Sequence, residues 1–256
     1  MLIDSHSHIA MKSFDGDRNE VIARARDVGV SIIMAVGISE ADCRRVVSTA
    51  ARYDSVYGAV GIHPHHAKDI TTATYDVLKE MAKNKKIVAY GEIGLDFFRN
   101  LSPRKVQIAR FGEQLDLAEE LNLPVIIHDR DAHAETVTIL EKWNGHKRGV
   151  IHCFSGDYAM ARKCLDMGFY LSIPGTITFR KNKQLHDVVR KVPLSRLLVE
   201  TDCPFLTPDP KRGERNEPAY VVYTASRLAE IKSIPLEEVE EVTCRNTIDV
   251  FGIPVT

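Results

Sequence analysis

No apolar run in this chain of 256 residues approaches the length of a membrane span. The opening residues, Met-Leu-Ile-Asp-Ser-His, turn polar too soon to supply the basic and apolar regions of a secretory signal. The five cysteines, Cys43, Cys153, Cys164, Cys203 and Cys244, are scattered and include no Cys-x-x-Cys pair. That speaks against a disulfide framework or a cysteine zinc site and for a reducing compartment, so a cytoplasmic location is expected. An excess of either charge is also missing. Lys and Arg number 34 against 35 Asp and Glu, a net charge of -1, so the chain lacks the basic field with which proteins hold a long duplex. Aromatic residues make up 7% of the chain and form no aromatic-basic stripe, which fits engagement of a few nucleotides better than tracking along a duplex. There is no low-complexity segment and no break in composition, and one domain over residues 1–256 is expected.

What is present is alternation. Short runs rich in Val, Ile and Leu predict strands at Leu2–His8, Ser31–Val36, Val56–Val60, Ile87–Glu92, Val125–His128, Val150–His152, Phe169–Ile173 and Leu197–Thr201. Helical patterns lie between them, among them Asp17–Val28, Glu40–Tyr53 and Pro103–Leu121, the last with Ser102 as N-cap and Pro103 at N1. Eight such units imply a parallel sheet. The count, together with the lack of a Gly-x-Gly-x-x-Gly loop after the first strand, favours a (β/α)8 barrel over an open nucleotide-binding sheet. The tail, Pro218–Phe251, carries one or two closing helices.

Six ligand-type residues fall at or just beyond the C-terminal ends of predicted strands: His6, His8, Glu92, His128, His152 and Asp202. In a barrel of this kind that end builds the active site. His6 and His8 are two apart and share a strand face, with Asp4 deeper on the same face. Cys153, next to His152, is expected to point away towards the helices, and Cys203 is expected to be structural. A single strand histidine is usually a hydrogen-bonded core residue, but six such residues at one end of a barrel point to metal.

Imidazole and carboxylate together suit Zn, Mn, Fe, Ni or Mg. Six ligands exceed what one catalytic zinc takes, whereas two divalent ions sharing a carboxylate would use them all, with Glu92 as the natural bridge. Such a pair suits hydrolysis. Glu92 and Asp202 are then the candidate catalytic residues.

These stretches carry a family resemblance. Ile3-Asp4-Ser5-His6-Ser7-His8, Gly61-Ile62-His63-Pro64-His65, Gly91-Glu92-Ile93-Gly94-Leu95-Asp96 and Pro124-Val125-Ile126-Ile127-His128 resemble the TatD family of metal-dependent DNases. So do His152-Cys153-Phe154-Ser155-Gly156, Glu200-Thr201-Asp202-Cys203-Pro204-Phe205-Leu206 and, near the end, Arg245-Asn246-Thr247. The resemblance implies one ion on His6, His8, Glu92 and Asp202, a second on Glu92, His128 and His152, and Asp202 as general base or water-positioning group. Related hydrolases bridge their ions with a carbamylated lysine. Here Lys85 and Lys86 precede the fourth strand, at the wrong end, and Glu92 takes that place. Phe97-Phe98 stand where tyrosine is common in the family.

For the substrate, phosphate sites in this fold often use the loops after strands 7 and 8, which carry Arg180, Lys181 and Lys183, then Lys211, Arg212 and Arg215. Arg180, Lys181 and His63 are the expected substrate contacts. The segment Phe154-Ser155-Gly156 leads into a helix whose free N–H groups could receive an anion. His65 and His66 read as loop residues, and His133, His146 and His186 as surface. The activity that the resemblance implies is 3′ to 5′ exonucleolytic cleavage of single-stranded DNA. The alternatives are a metal-dependent ester or amide hydrolase such as a D-aminoacyl-tRNA deacylase, or a non-catalytic metal-binding scaffold.

Overall fold

β-branched residues suit a pleated surface, and each short Val- and Ile-rich segment of this chain pairs with the next one in sequence. The computed structural model describes residues 1–146 and 148–254; Lys147, Val255 and Thr256, part of the expected span, lie outside the described residues. The strands are β1 (Leu2–Ser7), β2 (Val30–Val36), β3 (Val56–Val60), β4 (Ile87–Asp96), β5 (Val125–Arg130), β6 (Gly149–Ile151), β7 (Tyr170–Ile173) and β8 (Leu197–Val199). They form one parallel sheet in the order β1 to β8. The helices that follow them in turn are α1 (Arg18–Asp27), α2 (Glu40–Arg52), α3 (Thr72–Ala82), α4 (Arg104–Glu120), α5 (His133–Lys142), α6 (Tyr158–Asp166), α7 (Lys183–Lys191) and α8 (Val221–Lys232), with α9 (Leu236–Phe251) closing the chain. This is the expected (β/α)8 barrel with C-terminal closing helices. Among the described residues, no helix is long and apolar enough to cross a membrane.

Two apolar clusters follow from strand alternation. One lies between strands and helices and includes Ile33, Val60, Tyr90, Ile127 and Ile151. The other takes the opposite strand faces, Met34, Ala59, Ala89, Ile126, Val150 and Leu198, together with Val250, Phe251 and Ile253. That inner cluster also reaches Ile32, Tyr57 and Tyr170 near the strand beginnings, so the chain's tail fills the end of the barrel opposite the ligand residues.

The seam between β1 and β8 is joined by other means. Asp202 N–H donates to His6 O (3.0 Å) and His8 N–H to Cys203 O (2.8 Å). Below them, the fully buried Asp4 carboxylate accepts from Thr201 N–H (2.8 Å) and Thr201 Oγ1 (2.6 Å). Burial pushes the Asp4 carboxyl well above its ordinary range, against the pull of the Thr201 hydrogen bonds.

Three local expectations change. β4 runs past Glu92 to Asp96, and its ladder with β5 slips between Tyr90 and Ile93. Pro103, not Ser102, is the N-cap of α4; Ser102 Oγ donates instead to His65 O (2.9 Å) and accepts from Lys68 N–H (3.1 Å), tying together the loops after β3 and β4. His186 is buried rather than on the surface, its Nε2 donating to Ile177 O (2.7 Å).

Gly94 is required by close approach. Its φ is 140°, and a Cβ there would lie 2.0 Å from His128 O. Gly94→Ala is therefore expected to cost about 3 kcal/mol or more, combining backbone strain with overpacking. A urea midpoint within error of the original protein would refute that expectation.

Candidate metal centre

All six expected ligands come together at the C-terminal end of the barrel. His6 lies on β1 and His8 just beyond it, fixed by Nδ1–H donating to Val36 O (2.9 Å). Glu92 projects from the middle of β4, His128 from β5, His152 from the residue after β6, and Asp202 three residues beyond β8. His6, His8, Glu92 and His152 are buried, while the side chains of His128 and Asp202 keep 15% and 13% exposure, the two openings of the cluster to solvent.

Glu92 faces two histidine sets with its two oxygens. Oε2 lies 3.4 Å from His6 Nε2 and 3.7 Å from His8 Nε2. Oε1 lies 2.6 Å from His128 Nδ1, 3.4 Å from His152 Nε2 and 3.5 Å from His63 Nε2. Asp202 Oδ1 joins the first set, 3.3 Å from His8 Nε2 and 3.8 Å from His6 Nε2. Donors bound at 2.0–2.1 Å to one tetrahedral cation stand about 3.3 Å apart, so most of these separations fit a shared ion. The His128–Glu92 distance is shorter, that of a direct hydrogen bond, and has to lengthen for the two to share a cation. Neither ring nitrogen of the buried His6 has a hydrogen-bond partner, a costly state that a cation at Nε2 would relieve.

The electrostatics follow from crowding. Burial, then the neighbouring His152, lowers the pKa of His6, and burial with His128 holds His63 well below its ordinary value; both are neutral imidazoles. Against burial, Glu92 and Asp96 push His128 up to about 9, and Glu200 and Glu92 push His152 up to about 10. Burial would raise Glu92, but His152, His63 and His128 hold it well below the carboxylate range. Asp202 is held low in the same way, by His8 first and then His152.

Among the described residues, four groups that could hold a metal are His6–His8–Glu92, His63–Glu92–His128, His6–His152–Asp202 and His152–Cys153–Glu200. The third crosses the division between two ions implied by the resemblance. The fourth corrects the reading of Cys153. Its φ is 47°, the strand has ended at Ile151, and its sulfur lies by His152 and Glu200 rather than among the helices. Burial, then Glu200, pushes that thiol well up, so it stays protonated.

Three residues in the cluster carried no assignment from the sequence. Asp96 Oδ2 accepts from His65 Nε2 (2.9 Å) and lies 3.3 Å from His128 Nε2. Glu200 Oε1 lies 3.0 Å from His152 Nδ1. Thus His65, expected in a plain loop, is drawn into the site. The available signal was even spacing: Glu92 and Asp96 are four apart in one strand, and Glu200 and Asp202 two apart just beyond another.

His63 stands beside Glu92, and its Nδ1 accepts from His65 N–H (3.1 Å). Arg180 and Lys181 are exposed in the turn before α7. The expected anion site after Phe154-Ser155-Gly156 is closed, because the Asp157 carboxylate accepts from Met160 N–H (2.8 Å) and caps α6 itself.

Comparison with known proteins gives a consistent answer. The pattern of TatD related DNases matches residues 3–252. The chain is 43% identical to the uncharacterized metal-dependent hydrolase YabD of Bacillus subtilis, over 99% of this chain and 100% of that one. It is 34% identical to the 3'-5' ssDNA/RNA exonuclease TatD of Erwinia amylovora, covering 98% of this chain and all of that one. Its fold superposes on the crystal structure of the TatD homolog YjjV of Escherichia coli with a TM-score of 0.94, at 31% identity, covering 99% of this chain and 98% of the other.

Proposed function

The chain belongs to the family of TatD related DNases, and from that premise we propose that it is a two-metal phosphodiesterase acting as a 3′ to 5′ exonuclease on single-stranded DNA. The observation that carries the proposal is the division of Glu92, with one oxygen towards His6 and His8 and the other towards His128 and His152. His6, His8, Glu92 and Asp202 would hold one ion, and Glu92, His128 and His152 the other; Zn, Mg, Mn and Ni are the candidates. When bound, such ions polarise the phosphoryl group and acidify water.

The chain's own groups do the rest. Glu92 fixes the spacing of the two ligand sets. Asp202 is ionised at neutral pH and partly open to solvent, so its free Oδ2 orients the attacking water and takes its proton. His63 is neutral with Nδ1 accepting, so Nε2 carries the proton and can donate to a phosphate oxygen. Arg180 and Lys181 supply phosphate contacts from the loop after β7. Ligand imidazoles must be neutral, so loading at neutral pH displaces protons from His128 and His152.

The decisive experiment is release of nucleotides from end-labelled single-stranded DNA by chelated protein reconstituted with each ion. No release with any ion would overturn the proposal. Two variants refine it. Asp96→Asn weakens the support of His128 and is expected to lower metal affinity about 10- to 100-fold, read by competition with a chelating dye. Arg180→Ala with Lys181→Ala is expected to raise KM for DNA and flatten the dependence of log affinity on log salt by about 1.4, the value for two phosphate contacts on a single strand. An unchanged salt slope would remove these two residues from the substrate path.

A further inference from the structure

We propose that the exposed rings of Phe205 and Phe98 are stacking platforms for the two nucleobases flanking the bond to be cut, an inference that rests on the single-strand reading above. Large apolar side chains with substantial exposure are few in the described structure. Phe98 (57%) and Phe205 (50%) are the aromatic ones, and both follow strands at the ligand end of the barrel.

Phe205 is held in the open by its backbone. Its N–H donates to Asp202 O (3.0 Å), and its carbonyl accepts from Nδ2 of the buried Asn216 (2.5 Å). Its ring lies edge-on to His8, with centroids 6.0 Å apart. These hydrogen bonds fix the Phe205 backbone beside Asp202.

Phe98 stands two residues beyond Asp96, whose carboxylate touches His65 and His128. The Arg130 guanidinium lies 4.0 Å over the Phe98 ring, and Arg130 is the register partner of Asp96 between β4 and β5. Arg130 makes no ion pair among the described residues, leaving its charge free for a phosphate while its plane extends the aromatic surface.

The Phe205 ring thus stands beside His8, and Phe98 lies two residues beyond the Asp96 that touches His128. A flat protein partner would need a continuous apolar patch, whereas two separated rings with ligand groups between them match two splayed bases and the phosphate joining them. Stacking tolerates any base, because every base has a π-face. It also favours single strands, since a paired and stacked base offers no open face. The low aromatic content argued against a long platform, and two rings make a short one.

The test compares single-stranded oligonucleotides that are intact, abasic at the residue on one side of the scissile bond, or abasic on the other side. Phe205→Ala and Phe98→Ala are each expected to lower kcat/KM on the intact strand about 5- to 150-fold, with Phe205→Trp restoring it. On one abasic strand the Phe205→Ala penalty should vanish, and on the other the Phe98→Ala penalty. Equal penalties on all three strands, or none, would overturn the proposal. Wild-type protein cutting intact and abasic strands equally would overturn it alone. Wild-type protein cutting no strand with any ion would overturn the phosphodiesterase reading and this one with it.

Discussion

Glu92→Gln is expected to lower turnover at least ~10³-fold, the upper end of what loss of one preorganised electrostatic group costs. The substitution keeps the volume of a buried side chain, 3% exposed, so the barrel should fold as before. What it removes is the charge that both histidine sets face. Oε2 stands within 3.7 Å of His6 and His8, and Oε1 within 3.5 Å of His63, His128 and His152. A neutral amide offers one oxygen rather than two, and its NH₂ repels a cation on the other side. Metal content measured on the purified variant should fall from the two ions per chain proposed above to one or none. A variant that keeps two ions and works within tenfold of the original would show that Glu92 is not the bridge.

Asp202→Asn separates holding the ions from moving the proton. The amide keeps an oxygen next to His8 and His6 but cannot accept a proton from water. The expected result is a fall in kcat of about 10²- to 10⁴-fold with KM little changed. The pH dependence gives a second readout. The hydrogen bond from His8 and the charges of His152 and His6, acting against burial, hold the Asp202 carboxyl below its ordinary value. A group with a lowered pKa keeps its ionised form as pH falls, so Asp202 stays a carboxylate from about pH 5 to 9. The pH–rate curve of the variant should therefore run parallel to the original across that range, displaced downwards. A change of shape within it would assign the titrating step to Asp202 and contradict the lowered pKa.

Much of this arrangement could be read from residue types and spacing. The barrel followed from eight apolar runs with helical stretches between them. The ligand end followed from where His6, His8, Glu92, His128, His152 and Asp202 sit in those runs. Alternation held at the start of the chain, where His6 on β1 and His8 just beyond it both face Glu92. It failed at Cys153, because β6 ends at Ile151 and the backbone turns into a left-handed conformation. It was also insufficient along β4, where Ala89 belongs to the inner cluster and Tyr90 to the outer one, and the slip before Ile93 resets the face that carries Glu92. His65 was out of reach for a different reason. Its partner Asp96 is 31 residues away, and only the packing of the loop after β3 against the end of β4 brings them together. The cap of α6 was legible but went unread: Asp157 stands just before the helix as a favoured N-cap residue, and its carboxylate takes an N–H group that an anion would have needed.

The seam between β1 and β8 has a consequence in time as well as in space. His6 and His8 are made long before Asp202 and its neighbour Thr201, which lies 197 residues beyond its partner Asp4 in β1. Contacts between residues so far apart form late, because closing such a loop has to precede any gain from it. A growing chain therefore carries His6 and His8 without the carboxylate that stands beside them in the finished barrel. The cluster is complete only once the segment after β8 has been joined to β1.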